Sequence, residues 1–294
     1  MKTNITFLVN SCDSYEDLWE PFFLSLEKYW IGFDCPIILN TETKKFTFNA
    51  LDIACNGSSH IKWGGRFLDN LKKIKTEYVI NFFDDYLIKK NVDVSRIRDC
   101  IALLDQNNDA SVCYLVDITK HKGVDQLTKN KSGAEVIQPQ NSNFQLIPQS
   151  QNYRLNSAPA IWRVSDLIKF TNPDDTPWVW EFFGSARTYK TKKKFFCIGK
   201  DKCDIVSYVN DGGMGGAIHR GEWLISAVEF IEEDLGLQIK DKTLRPIKIS
   251  AENQPHSFQW KIKFLIDGFK AVGFDALIFV YRSIIKKCSI LFSK

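Results

Sequence analysis

Short, wholly apolar segments alternate with stretches whose apolar residues recur every three or four positions. That alternation most constrains the fold. Residues 5–9 (ITFLV) read as a buried strand. Leu18, Phe22, Leu26 and Trp30 then follow at helical spacing. Ser14 is placed to cap the start of that helix, with Glu16 and Asp17 in its first turn. Pro21 marks either a kink or the true start. Ile37–Leu39 reads as a second strand. A strand–helix–strand order of this kind closes as a right-handed βαβ unit and predicts a mainly parallel sheet.

The pattern repeats downstream. Phe67, Leu71 and Ile74 mark the apolar face of a helix starting after Gly64-Gly65, and Tyr78–Phe83 reads as a third buried strand. Residues 93–105 give another amphipathic helix, with Val94, Ile97, Ile101 and Leu104 on one face, and residues 110–116 a further strand. Residues 117–150 are polar, rich in Lys, Asn and Gln, and read as hairpins or an excursion from the domain. "YRLNSAPAIWR" reads as a strand feeding the helix "VSDLIKF". "TPWVWEFFGSARTYK" opens a helix with Pro177. "VNDGGMGGAIHRGEW" is a glycine-rich loop.

The bulk properties exclude several classes. The net charge of +4 is too mild to indicate nucleic acid, and no nucleic-acid motif is present. The eight cysteines are scattered, with no CxxC pair, so they read as reduced thiols in a cytosolic setting rather than as a disulfide framework or zinc site. The N-terminus, "MKTNITFLVN", has no long apolar segment of the signal-peptide kind, and no stretch approaches the ~20 apolar residues of a membrane span. The expected location is cytoplasmic.

In an open parallel sheet, ligands sit beyond the carboxyl ends of the strands. Two such ends are polar here. After the first strand, "NSCDS" offers Asn10, Ser11 and Asp13 as hydrogen-bonding groups for a base or ribose. After the third, "FFDDY" offers Asp84 and Asp85, hard oxygen ligands suited to Mg²⁺ or Mn²⁺ alongside diphosphate oxygens. Arg66, at the start of the preceding helix, is placed to pair with phosphate. His219 and Arg220, just after the glycine-rich loop, are placed to close on a diphosphate. In "PWVWEFFGS", Glu181 lies among aromatics whose desolvation raises a carboxyl toward the range of a general base. Trp178 and Trp180 are candidate platforms for an acceptor sugar ring. Each feature also has a plainer reading: a surface turn for the acidic pair, packing for the aromatics, an ordinary loop for the glycines.

Taken together, "FLVNSCDSYEDLWEPFF", "W..R...NLKKIKTEYVINFFDDY", "APAIWR" and "PWVWEFFGS" resemble the GT-A-fold glycosyltransferases of bacteria that build capsule, O-antigen and related surface polysaccharides. The resemblance covers roughly residues 3–245. It implies an α/β, GT-A-like (Rossmann-like) mainly parallel sheet flanked by helices. Within residues 1–250, positions 1–116 would be the nucleotide-sugar half and 117–250 the acceptor half. It also implies a nucleotide-sugar donor, a saccharide or lipid-linked saccharide acceptor, Glu181 as base, and a divalent cation held by the acidic pair. The family's pattern is Asp-x-Asp, whereas this chain has Asp84-Asp85. Adjacent side chains on an extended strand point to opposite faces, so only one of the two is expected to reach the metal, and Asp85 is the favoured ligand. A metal-independent variant would lean on Arg66 or Arg220 instead.

The remaining segment, 251–294, is an expected amphipathic helical tail. Phe274, Leu277, Ile278, Tyr281, Ile285 and Cys288 follow helical spacing, with Arg282, Lys286 and Lys287 nearby. Such a helix suits either the anionic inner face of the cytoplasmic membrane, contacted through 274–294, or a protein surface. The departure from Asp-x-Asp keeps a second reading in view, a catalytically silent glycosyltransferase-like scaffold of an assembly complex. A nucleotidyltransferase would want a basic glycine-rich segment near the N-terminus, and none is present.

Overall fold

The computed structural model describes residues 4–49, 51–58, 60, 62–120, 143–149, 151–199, 202–211, 215–239, 245–251, 256–277 and 281. Strand β1 (Ile5–Asn10) is buried along its whole length. The segment after it opens as a 3₁₀ turn over Asp13–Leu18, without the expected Ser14 cap, and helix α1 (Trp19–Tyr29) follows. Pro21 therefore sits in the first turn, where its missing N–H costs nothing. Strands β2 (Ile37–Asn40) and β3 (Ile53–Cys55) come next, then helix α2 (Trp63–Lys73) and strand β4 (Tyr78–Phe83). Helix α2 includes the two glycines rather than starting after them. A Cβ on Gly64 would lie 2.2 Å from the Asn172 carbonyl oxygen, so only glycine lets the helix approach that loop.

Helix α3 (Val94–Gln106) is capped by Asp93, whose carboxylate accepts from the Ser95 N–H at 2.9 Å. It leads to β5 (Ala110–Tyr114). Strand β6 (Phe144–Leu146), strand β7 (Ala160–Arg163) and helices α4 (Val164–Lys169), α5 (Pro177–Phe182) and α6 (Ser185–Tyr189) complete the middle of the chain. Strand β8 (Lys194–Ile198) follows. A small sheet is built from β9 (Ile218–His219), β10 (Glu222–Leu224) and β11 (Ile247–Lys248), with helix α7 (Ile225–Glu233) after β10. Helix α8 (Phe258–Val272) follows, and then a 3₁₀ turn over Gly273–Asp275.

The eight strands of the main sheet lie in the order β3-β2-β1-β4-β7-β5-β8-β6. Strands β7 and β6 run antiparallel to their neighbours, and the rest are parallel. This is the expected mainly parallel α/β sheet. The register of β1 on β4 sorts the flanking helices. Phe7 and Phe82 share one face, where their rings meet at 5.1 Å and α1 adds Phe22. Asn10 and Phe83 share the other, where Trp63 of α2 stacks on Phe83. One continuous apolar core follows, with helices on both faces of the sheet.

The chain leaves β1 toward β2 on one side and returns to β4 on the other. The crevice between the carboxyl ends of β1 and β4 is thus the switch point at which open α/β sheets place ligands.

Of the expected tail, residues 251, 256–277 and 281 are described, and the stripe from Ile278 onward lies otherwise outside the described residues. The part that is described docks on the chain itself. Helix α8 buries Gly268 and Ala271 against Val179, Phe183 and Ala186 of the α5–α6 region. Among the described residues no helix is long and apolar enough to cross a membrane.

Candidate active site at the β1/β4 crevice

Strand β4 ends at Phe83, and Asp84-Asp85 form a tight turn closed by Tyr86 N–H donating to the Phe83 carbonyl at 3.2 Å. The turn, rather than strand alternation, sets where the two carboxylates go. Asp84 is buried and points back to β1, where the Ser11 hydroxyl donates to it. Trp19 Nε1 in turn donates to that hydroxyl at 2.6 Å. Asp85 is only partly buried.

The electrostatics of this turn are unusual. Burial, then the neighbouring Asp85 charge, pushes the Asp84 carboxyl well above the ordinary aspartate range. Burial pushes Asp85 up to about 7, and Glu181 adds to the rise through its charge. Glu181 itself is raised by burial, while hydrogen bonds from Ser157 work the other way. A residue of α5 and a residue of the β4 turn, 96 positions apart in sequence, therefore share one electrostatic field.

Tyrosines line this field. The Tyr86 and Tyr208 rings lie 4.5 Å apart, and the hydroxyls of both are raised first by burial and further by Asp85 and Glu181. Tyr114, at the end of β5, also feels Glu181. Segment 155–158 holds Glu181 in place. Ser157 N–H donates to Glu181 Oε1 at 2.6 Å, and Leu155 N–H to the Ser185 hydroxyl at 3.0 Å. That hydroxyl donates to the Glu181 carbonyl at 2.7 Å.

Part of the glycine-rich loop seals one side. Ala217 N–H donates to the Asp85 carbonyl at 2.7 Å, and Gly216 packs so close that a Cβ would lie 2.3 Å from that oxygen. Residues 212–214 lie outside the described residues. His219 and Arg220 are in the β9–β10 hairpin beyond this contact. Arg220 and Gly221, with φ of 54° and 84°, form its two-residue turn. The Arg220 charge is felt by His256.

Several expected site residues serve the fold instead. Asn10 is fully buried. Its amide donates to Asn81 Oδ1 at 2.8 Å and the Phe82 carbonyl at 3.0 Å, and its oxygen accepts from Trp63 Nε1 at 3.2 Å. It ties β1 to β4 and α2 rather than facing a donor. Asp13 accepts from the backbone N–H groups of Glu42, Thr43 and Lys44 and from the Thr43 hydroxyl. Burial alone would raise its carboxyl, but these bonds outweigh it and hold the group low. Arg66 is buried and pairs with Glu42 at 2.8 Å.

The two tryptophans separate. Two helical residues are about 200° apart, so α5 presents Trp178 and Trp180 to opposite sides. Trp178 is 68% exposed, as a platform requires. Trp180 is 0% exposed and packs among Trp63, Phe67 and Trp162, so it is a core residue and cannot serve as an acceptor platform.

Sequence reading missed Tyr86, Ser157, Tyr208 and Arg245. Arg245 pairs with Asp17 at 2.8 Å, lies 4.5 Å from the centroid of the Tyr15 ring, and is raised by the Asp17 bond with a contribution from Asp84. It is a cation beside the acidic turn contributed from 160 residues downstream. Only Tyr86 carried a local signal, being next to the acidic pair.

The donor set fits a divalent cation only in part. The oxygens are hard, and an Mg²⁺ or Mn²⁺ ion is commonly held by one or two carboxylates plus substrate phosphates. Among the described residues no group of three His, Cys, Asp or Glu side chains is arranged to hold a metal. Asp85 is the carboxylate of the pair with open surface, so any ion would complete its shell with donor oxygens.

No protein-family model matches the chain, and no curated protein matches it. Among solved structures it is similar to S. aureus TarS 1–349, with 14% identity over 92% of this chain and 81% of that one and a TM-score of 0.47. The same TarS segment in complex with UDP gives 15%, 92%, 81% and 0.45. A cytidylyltransferase from Leptospira borgpetersenii gives 11%, 86%, 99% and 0.39.

Proposed function

We propose that the chain is a glycosyltransferase of GT-A type that moves a sugar from a nucleotide-sugar donor to a saccharide or lipid-linked acceptor, as in bacterial surface-polysaccharide synthesis. One observation carries this reading. Glu181 is bonded by Ser157, whose hydroxyl meets that of Tyr86, the residue after Asp85, so two carboxylates from distant segments come together beside the switch point of the sheet. Residues 1–116 act as the donor half and 117–250 as the acceptor half.

Transfer breaks the bond from the anomeric carbon to the diphosphate oxygen, and the electron pair leaves with the diphosphate. The acceptor oxygen attacks the opposite face, and its proton passes to Glu181. The configuration inverts. A carboxylate raised by burial is a better base than a solvated one, and general-base catalysis contributes about 10²–10⁴-fold. Asp84 is spent on Ser11 and shapes the turn. Arg245, held by Asp17, supplies positive charge beside it. A divalent ion at Asp85, when bound, would neutralise charge building on the leaving group. Trp178 offers the acceptor an exposed indole face.

The test is a thermal-shift panel of nucleotide sugars with and without Mn²⁺, followed by transfer and slow donor hydrolysis assays. Stabilisation by one donor class, with turnover lost in Asp85→Ala and Glu181→Ala, supports the reading. A chain that no nucleotide sugar stabilises and that turns none over would sink it in favour of a silent scaffold.

A further inference from the structure

The residue that follows the acidic pair reaches the proposed base through a single intermediary. The Tyr86 and Ser157 hydroxyl oxygens are 3.0 Å apart. Ser157 also donates its backbone N–H to Glu181 Oε1 at 2.6 Å, and Ser157 is the residue that works against the rise burial imposes on that carboxyl. Ser157 sits on the segment that precedes β7, and Tyr86 on the turn that ends β4. Three segments distant in sequence thus converge on one carboxyl group.

We propose that Tyr86 and Ser157 are positioning residues that orient Glu181, so that Ser157 holds Oε1 and Oε2 is left to take the acceptor's proton. This rests on the glycosyltransferase reading for its catalytic meaning and on hydrogen bonding alone for its geometry.

The direction of the bonds follows from the groups. An ionised carboxylate only accepts. The Ser157 backbone N–H is therefore the donor to Glu181, and either of the Tyr86 and Ser157 hydroxyls can donate to the other. Tyr86 packs against Phe83 and Tyr208, which fixes its ring and the place of its hydroxyl. The Tyr86 hydroxyl thus fixes the Ser157 side chain, and with it the backbone N–H that holds Oε1. It also couples the two halves of the site. Tyr86 is covalently next to Asp85 and moves with the turn, so a donor that shifts this turn changes the hydrogen bonds on the base. The geometry gives the pair a second effect. Donors to the ionised carboxylate favour it, which opposes the rise that burial imposes on Glu181.

The experiment uses the full chain with Glu side-chain carboxyls labelled with ¹³C and the Glu181 signal assigned by Glu181→Gln. It is titrated in the wild type, Tyr86→Phe, Ser157→Ala and Ser157→Thr. Tyr86→Phe keeps the ring packed on Tyr208, so the fold is retained. The Glu181 midpoint should rise by about one unit in Ser157→Ala, less in Tyr86→Phe, and return in Ser157→Thr. In parallel, transfer kcat should fall roughly 10-fold with the acidic limb of its pH profile moved up, while the donor KM is unchanged. A Glu181 midpoint unmoved in both Tyr86→Phe and Ser157→Ala overturns the relay. A midpoint that moves as stated in a chain that transfers no sugar upholds the relay and overturns the glycosyltransferase reading instead.

Discussion

Ala217 donates its backbone N–H to the carbonyl oxygen of Asp85 at 2.7 Å, and this bond fastens the loop before the β9–β10 hairpin to the acidic turn. The residue before it, Gly216, leaves no room for a side chain there. Substitution Gly216→Ala must push the loop off Asp85. The expected result is a folded protein whose donor KM rises several-fold, with the larger Gly216→Val change more severe. Steady-state kinetics and circular dichroism on the two variants check this. Unchanged donor KM in both would mean that the contact does not shape the donor side.

Asp85 makes stability depend on pH. Its carboxyl stands at about 7 in the fold, against the ordinary 3.8 of an aspartate. The folded chain therefore binds more protons than the unfolded chain between these values. Raising the pH through that window removes stability, and lowering it restores stability. Asp85→Asn should accordingly raise Tm at pH 8, by an amount equivalent to about 1–3 kcal/mol, with the gain shrinking toward pH 4. Thermal melts of the two proteins at both pH values decide it. The same substitution should abolish transfer, which is the usual conflict between stability and a functional charge.

Trp178 and Trp180 should behave as opposites. Trp180→Ala opens a cavity among Trp63, Phe67 and Trp162 and should cost about 3–5 kcal/mol in urea unfolding. Trp178→Ala removes an exposed ring and should change stability by no more than about 0.5 kcal/mol. Its effect should instead be a higher acceptor KM. A large loss of stability in Trp178→Ala would contradict its placement.

The Arg187–Asp175 pair joins α6 to the loop before α5 and to α8. Arg187 Nη1 and Nη2 donate to the two Asp175 oxygens at 2.6 and 2.7 Å, and Nη2 also donates to the Ala271 carbonyl at 3.1 Å. Asp175 is fully buried. Arg187→Ala leaves that charge unpaired and should cost about 3–5 kcal/mol. It should also loosen the α8 end, read as faster proteolytic cleavage within 256–277. Cleavage as slow as in the wild type would show that α8 is held by its apolar face alone.

Much of the architecture was legible along the chain. The apolar runs at 5–9, 37–39 and 78–83 became β1, β2 and β4 because a strand buried on both faces must be apolar throughout. Helical spacing located α1, α2 and α3 for a related reason, since each needs one apolar stripe to reach the sheet. The polar strand ends and Glu181 among aromatics stood out as local departures from these patterns. Periodicity could not say which strands become neighbours. The insertion of β7 between β4 and β5 is such a choice, and it brings Ser157 and Glu181 to the acidic turn. It could not separate Trp178 from Trp180, because both are apolar letters and only packing tells a core ring from an exposed one. It overvalued Asn10, Asp13 and Arg66, whose polar groups are consumed by hydrogen bonds and ion pairs to residues far along the chain. Burial and charge coupling are sums over neighbours in space. The sequence lists the groups that can carry charge, and only the tertiary structure decides which of them share a field.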